Sequence, residues 1–318
     1  MSLVDIYIPT YEPDPEHLGQ ALDSLLAQTE QRWHAYIHDD ASKADVKAMV
    51  EPYLKDKRFS FSRSTKRLGI GGNWNACLPL GSSPFIQYLF QDDWWEPHFL
   101  EAGVQAMNEF PGVGIVSLGH DYVCTEGSDA IPLYKELEQF RSNHLSPGVH
   151  DGKELLLFWL EHELHPNIVG EPDFVMLRRS VVHKAGKYLE DMPQNLDMEY
   201  ALRCLMHGDW YYVDDVCGHF RVHTQAASAV NQREGTGIFD RFRCFERVIR
   251  LLPKEHDKKI AIKARNRALD DMAGKFLNRV KSGGRVQTKS KGSNSFKVFA
   301  LKHPLLVTRT LIRAMRRS

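Results

Sequence analysis

Short apolar runs alternate with stretches of helical periodicity through the first 120 residues. Residues 3–8 (LVDIYI) predict a strand, closed by Pro9, Thr10 and Tyr11. Asp14-Pro15 then supplies a cap followed by proline at the first helical position, and Leu18, Leu22, Leu25 and Leu26 recur at helical spacing. Residues 33–38 predict a second strand, ending in Asp39 and Asp40. Ser42 opens a helix with Val46, Met49, Val50, Tyr53 and Leu54 on its apolar face, and residues 58–63 form a short third strand. After the loop RLGIGGNWN at 67–75 come a helix, a strand at 85–90, a helix at 97–109 and a strand at 113–118. Such alternation predicts an α/β fold with a Rossmann-like, doubly wound, mostly parallel sheet and right-handed crossovers. Beyond 120 the pattern loosens. Residues 121–148 read as an irregular excursion, followed by a helix at 152–163, a strand at 174–178 and a helix at 197–207. A strand at 210–213 then leads to Phe220, Arg221, Val222 and His223. Residues 236–280 read as a helical extension, and a Gly/Ser/Lys-rich linker at 282–295 precedes a last segment at 296–317.

Composition narrows the class. The chain has 318 residues, 42% of them hydrophobic, which excludes disorder and collagen. The five cysteines show no C-x-x-C pair, as expected of reduced thiols in a cytoplasmic protein without a zinc site. No stretch reaches the ~18 apolar residues of a spanning helix, and the N-terminus has no signal-peptide pattern. The formal charge of zero hides an asymmetry. Residues 272–318 hold twelve Lys or Arg and no acid, leaving 29 basic against 41 acidic side chains elsewhere. An acidic body with a basic tail suggests that the tail meets an anionic surface.

Three strand ends carry polar groups: Pro9-Thr10-Tyr11, Asp39-Asp40 and, in YLFQDDWWEP, Asp92-Asp93. In an α/β sheet, ligands sit beyond the carboxyl ends of the strands. Two acids at the end of a buried strand are costly unless something binds them, so Asp92-Asp93 reads as a divalent-metal site; the alternative is an aspartate turn capping the next helix. The glycines at 69–72 permit close approach of a ligand to the backbone, but the loop matches neither the P-loop nor the dinucleotide fingerprint.

Taken together, VDIYIPTYEPDPEHLGQALDSLLAQTEQRWHAYIHDDAS, the 67–75 loop and FIQYLFQDDWWEP resemble the opening of the family 2 glycosyltransferases. The run from GEPDFVMLRR to FRVHTQAAS is similar to that family's acceptor half. The resemblance covers about residues 3–230. It implies a GT-A fold (residues 1–118 the nucleotide-binding half, 119–230 the acceptor half), a nucleotide-sugar donor, a divalent cation (Mn²⁺ or Mg²⁺) and inversion at the anomeric carbon. Carried over by position, Pro9, Thr10, Tyr11, Asp39, Asp40, Arg67, Asn73, Gln91 and Asp92 belong to the nucleotide site, with Asp40 accepting from a uracil-type N–H. Asp92 and Asp93 match the metal-holding D-x-D end. Asp197 matches the catalytic base, and Trp94, Trp95, Glu199, Arg221 and His223 are candidate acceptor or diphosphate contacts. Where the family often reads L-D-x-D-D, Phe90 replaces the first acid here. The metal then depends on one or two carboxylates, the diphosphate and water, which suits Mg²⁺ or Mn²⁺.

At a helix start, Asp197 is expected to have its pKa lowered by the dipole and to remain ionised. The function expected is transfer of a sugar, UDP-linked by preference, to a hydroxyl of a glycan or lipid-linked glycan. The alternatives are a sugar-nucleotide nucleotidyltransferase and a non-catalytic nucleotide-sugar-binding protein. Residues 296–317 place apolar side chains among basic ones, as in a segment lying on the cytoplasmic face of an anionic membrane. No nucleic-acid-binding fold is evident.

Overall fold

The computed structural model of the chain describes residues 2–124, 131–223, 226–234, 237, 239–281 and 300–317; the expected linker at 282–295 lies outside them. Nine strands form one sheet: β1 (Val4–Thr10), β2 (Trp33–Asp39), β3 (Phe59–Arg63), β4 (Phe85–Tyr88), β5 (Trp94–Trp95), β6 (Val113–Cys124), β7 (Gly148–His150), β8 (Val175–Arg178) and β9 (Asp209–Val222). Their order is β3-β2-β1-β4-β8-β6-β9-β5, with β7 beside β9. From β3 to β4 the pairing is parallel, as the alternation of strand and helix predicts, and β6 pairs parallel with β9. Antiparallel β8 separates these two parallel blocks.

β1 is buried along its whole length, and its alternate residues feed two cores. Tyr7 joins a cluster with Trp159 and Trp210, while Ile6 and Ile8 join one with Leu22 and Phe99. This is the period-2 alternation of a strand covered on both faces. Helices α1 (Pro15–Leu26), α2 (Val46–Val50), α3 (Ile70–Cys77) and α4 (Phe99–Glu109) connect the first block. α1 begins as expected: the Asp14 carboxylate accepts from Glu16 N–H and His17 N–H, with Pro15 at the first helical position.

The second half is more regular than the sequence suggests. β6 continues past residue 118 to Cys124, and 131–144 forms helix α5 (Ile131–His144) instead of an irregular excursion. Residues 209–222 form one long strand, whereas the sequence suggests a strand at 210–213 and a separate segment at 220–223. The β6–β9 pairing explains both extensions, because its register shifts between Leu118 and Asp121 let the two strands continue past an irregularity. β4 in turn stops at Tyr88, two residues short of expectation. α6 (Gly152–Glu161), α7 (Arg179–Ala185), α8 (Leu196–Leu205), α9 (Ala227–Glu234), α10 (Asp240–Leu251), α11 (Glu255–Lys281) and α12 (Pro304–Arg317) complete the described elements. Among the described residues no helix is long and apolar enough to cross a membrane.

Candidate active site

The parallel register brings the first two strand ends level. Thr10 lies opposite Asp39, and Asp39 opposite Arg63, on one edge of the sheet. Leu89 N–H donates to the Tyr7 carbonyl at 3.0 Å, so the chain running on to Asp92 leaves beside the end of β1. Pro9 and Thr10 are buried there, and Tyr11 follows, its N–H donating to Gln91 Oε1 at 2.8 Å while Gln91 Nε2 donates to the Tyr11 carbonyl at 3.2 Å. The Arg67 guanidinium sits 3.9 Å from the centre of the Tyr11 ring.

The two acids after β2 have separate tasks. Asp39, fully buried, accepts from Ser42 N–H and the Ser42 hydroxyl and pairs with Arg63 at 3.2 Å. Asp40 accepts from Leu68 N–H at 2.6 Å and Gly69 N–H at 2.9 Å. Its carboxylate therefore holds the glycine loop against the sheet edge. Asn73, one turn into α3, donates to the Thr10 carbonyl at 3.2 Å, and its own buried Oδ1 has no partner.

Asp92 and Asp93 differ in the same way. Asp92 is half-buried and lies 3.1 Å from His223 Nε2, a hydrogen bond that raises the imidazole pKa above its ordinary value. Asp93 is buried, and its Oδ1 accepts Arg221 N–H at 2.6 Å. Burial pushes its carboxyl up to about 7. Fully buried Asp173 lies against it, the two carboxyls hydrogen-bonded to each other. Burial first, and the Asp93 charge second, push Asp173 well above the carboxylate range. Arg221 ties the region together: Nε donates to the Asp92 carbonyl at 3.0 Å, Nη2 donates to Gln20 at 2.6 Å, and the guanidinium lies 4.8 Å from the Trp94 ring centre.

Among the described residues no three His, Cys, Asp or Glu side chains form a metal cage. The donor set nonetheless fits a hard divalent cation that brings phosphate oxygens with it. Asp92 presents a half-exposed carboxylate, and a cation would favour the ionised form of buried Asp93 beside it, whose carboxyl burial pushes up.

Asp197 lies in the first turn of α8, as expected, but its pKa is not lowered. Burial raises it to about 6, overriding the helix N-terminus. Its carboxylate lines a small, mainly apolar cavity with Val169, Gly170, Pro172, Tyr188 and Tyr200. Asn167 Nδ2 donates to Asp197 Oδ2 at 3.3 Å, and Asn167 is itself locked by Gly170, whose N–H donates to Asn167 Oδ1 at 3.3 Å. Two other candidates face inward. Glu199, buried, pairs with Arg203 at 2.7 Å and Arg247 at 2.7 Å, on the side of α8 away from Asp197. Trp95 is buried, stacked on Phe99 at 4.2 Å, and donates to the Asp173 carbonyl at 3.0 Å.

Residues 166–174 join the two halves of the site, and the sequence reading assigns none of their side chains. Asn167 meets Asp197, Asp173 meets Asp93, and the Glu171 carboxylate, 3.1 Å from His120 Nε2, is close enough to raise the pKa of both Asp93 and Asp197. The only signal in the sequence is the pair of acids in GEPDF just before a strand.

The sequence model of glycosyl transferase family 2 matches residues 5–160. An uncharacterized protein of Mycobacterium tuberculosis is 28% identical over 206 residues, 64% of this chain and 62% of its own length. The chain thus spans less than two thirds of that relative. Two solved structures share the fold. S. aureus TarS 1–349 in complex with UDP-GlcNAc has a TM-score of 0.60 at 16% identity, with coverage of 99% of this chain and 79% of that one. The mannosyltransferase PcManGT of Pyrobaculum calidifontis, in complex with GDP-Man and Mn²⁺, has a TM-score of 0.57 at 16% identity, with coverage of 99% and 86%. With its parallel strand block, its strand-end carboxylates and the family's sequence pattern, residues 5–160 form a glycosyltransferase family 2 domain, and the chain has the GT-A fold.

Proposed function

We propose that this chain moves a sugar from a nucleotide-sugar, a UDP-sugar by preference, to a hydroxyl of a glycan or lipid-linked glycan, with inversion. One observation carries the reading. A half-buried carboxylate of raised basicity, Asp197, and the acid Asp93, next to Asp92, are joined by the single segment 166–174. That link supports a reading in which Asp197 is the proton acceptor on one side of the sugar and Asp92 and Asp93 belong to the diphosphate site on the other. Asp197 takes the proton of the acceptor hydroxyl as its oxygen forms a bond to C1. The bond from C1 to the diphosphate oxygen breaks on the opposite face, and the electron pair leaves with the nucleoside diphosphate. Asp92 and Asp93 would hold a divalent cation, which when bound would neutralise charge on that leaving group. Arg221 orients the Asp92–Asp93 backbone, and His223 with Asp92 faces the same side. Tyr11, Arg67 and Asn73 line the nucleoside end, and Asp40 acts there by fixing the glycine loop as well as by any direct contact with a base. The bound nucleotide sugars of the two structural neighbours support the donor class, and the Mn²⁺ in one supports the cation. The basic tail supports peripheral contact with an anionic membrane on the cytoplasmic side.

Asp197→Asn tests the assignment. The variant should bind UDP with Mn²⁺ as the wild type does while transfer falls by about 10²- to 10⁴-fold. Unchanged transfer overturns the base assignment. UDP binding that is absent from both proteins overturns the donor site.

A further inference from the structure

We infer that one face of α12 is a docking surface for an anionic lipid bilayer, and that its contact residues are Leu301, Leu305 and Ile312 with Lys302 and Arg309. This deepens the membrane contact proposed above by naming the face that makes it, and it stands independently of the sugar-transfer reading. The helix is anchored by its other side. Leu306 and Val307 pack on a small core of Phe239, Phe242 and Leu269, Thr310 is buried, and Arg313 pairs with Asp270 at 3.1 Å. Among the described residues nothing covers the opposite side. Leu305 is 86% exposed and Ile312, two turns further on, 47% exposed; Leu301, just before the helix, is 81% exposed. Large apolar side chains left this open in register on one face mark an interaction site.

Charge decides the partner. Lys302 and Arg309 are exposed beside these three residues, and residues 272–318 carry twelve basic side chains and no acid. An apolar stripe flanked only by cations matches the acyl–headgroup boundary of a bilayer containing anionic lipid, where leucines enter and lysine or arginine meets phosphate. A second copy packed through this same face would instead bring the same cations against one another. The docked face is also mechanically joined to the acceptor side. The Phe239–Phe242 core beneath α12 continues into Asp240, whose carboxylate accepts Gln194 N–H at 2.9 Å, three residues before Asp197.

Co-sedimentation of the full chain with extruded vesicles tests this without donor or acceptor, so its outcome is separate from that of the transfer assay. The wild type should sediment with phosphatidylglycerol–phosphatidylcholine vesicles and much less with pure phosphatidylcholine, and high salt should release it. Two double variants, Leu301→Ser with Leu305→Ser and Lys302→Glu with Arg309→Glu, should each bind those vesicles about tenfold more weakly or worse. Unchanged melting temperatures would show that both variants are folded, since none of the four side chains is buried in the body. Binding by both variants at the wild-type level overturns the inference. So does a wild-type dimer in light scattering that becomes monomeric on the leucine substitutions without any vesicle binding, because the face is then a contact between copies.

Discussion

At Asp197 two residue-scale forces oppose each other. A helix N-terminus favours the carboxylate by roughly 0.3–1 kcal/mol, less than one pKa unit, whereas burial can shift a carboxyl by up to about 3–5 units. Burial prevails, and the pKa rises from 3.8 to about 6. Transfer is therefore expected to fall as pH drops through about 6, in a pH–rate profile at saturating donor. The sign for stability is the reverse. A raised folded pKa favours the folded state while the group is protonated, and that contribution is lost as pH rises from 3.8 through 6. At pH 7 the wild type bears the full cost of the buried charge, so Asp197→Asn should melt no lower, and by this effect higher, than the wild type. Asn167→Ala removes the N–H that holds Asp197 Oδ2. It should shift the acidic limb to higher pH by about one to two units, as expected for loss of one hydrogen bond to a charged group. A merely structural role for Asn167 would lower the melting temperature and leave the limb in place.

Among the elements, the glycine loop and the segment 166–174 do most to shape the site. Gly69 has φ +81°, in the left-handed region open to glycine. Gly71 is required for a different reason. A Cβ there would lie 2.9 Å from the Glu190 Cα, so α3 packs backbone to backbone against the chain before α8. Gly71→Ala should cost about 1–3 kcal/mol in a urea titration, because the clash is with backbone and not with the end of a flexible side chain. A change within a few tenths would show that the contact yields easily. The same contact is one route by which α3 and the chain before α8 touch: Asn75, on α3, accepts Tyr188 N–H at 2.8 Å and donates to the Tyr188 carbonyl at 3.0 Å.

Across the whole molecule, ligand binding should register as global stability. A nucleotide that binds only the folded chain at a hundred times its dissociation constant adds about 2.7 kcal/mol. For a chain of this size that is a rise of very roughly 5 °C. UDP with Mn²⁺ should give such a shift, and UDP with a chelator a smaller one, if the proposed cation at Asp92 and Asp93 is completed by the phosphate oxygens. Equal shifts with and without the cation would remove the metal from the reading. A shift with GDP and none with UDP would remove the uracil preference.

The sequence by itself determined the first sheet block, the start of α1 and the polar strand ends, because these follow from local periodicity: alternate residues of β1 face opposite cores, and Asp14-Pro15 starts α1, whereas the helix expected from Ser42 is only Val46–Val50, capped by Asp45. It also brought out Asp92, Asp93 and Asp197, through their order and setting in a family pattern. The tertiary structure alone decided what each acid does. Asp39 and Glu199 are spent on Ser42 and Arg63, and on Arg203 and Arg247, while Asp40 anchors a loop. These partners lie on other elements, beyond the reach of any periodic pattern. The antiparallel insertion of β8, the length of β9 and the place of 166–174 between the two acid groups are likewise long-range outcomes. They arise because pairing with β6 and burial against both cores outweigh local propensity.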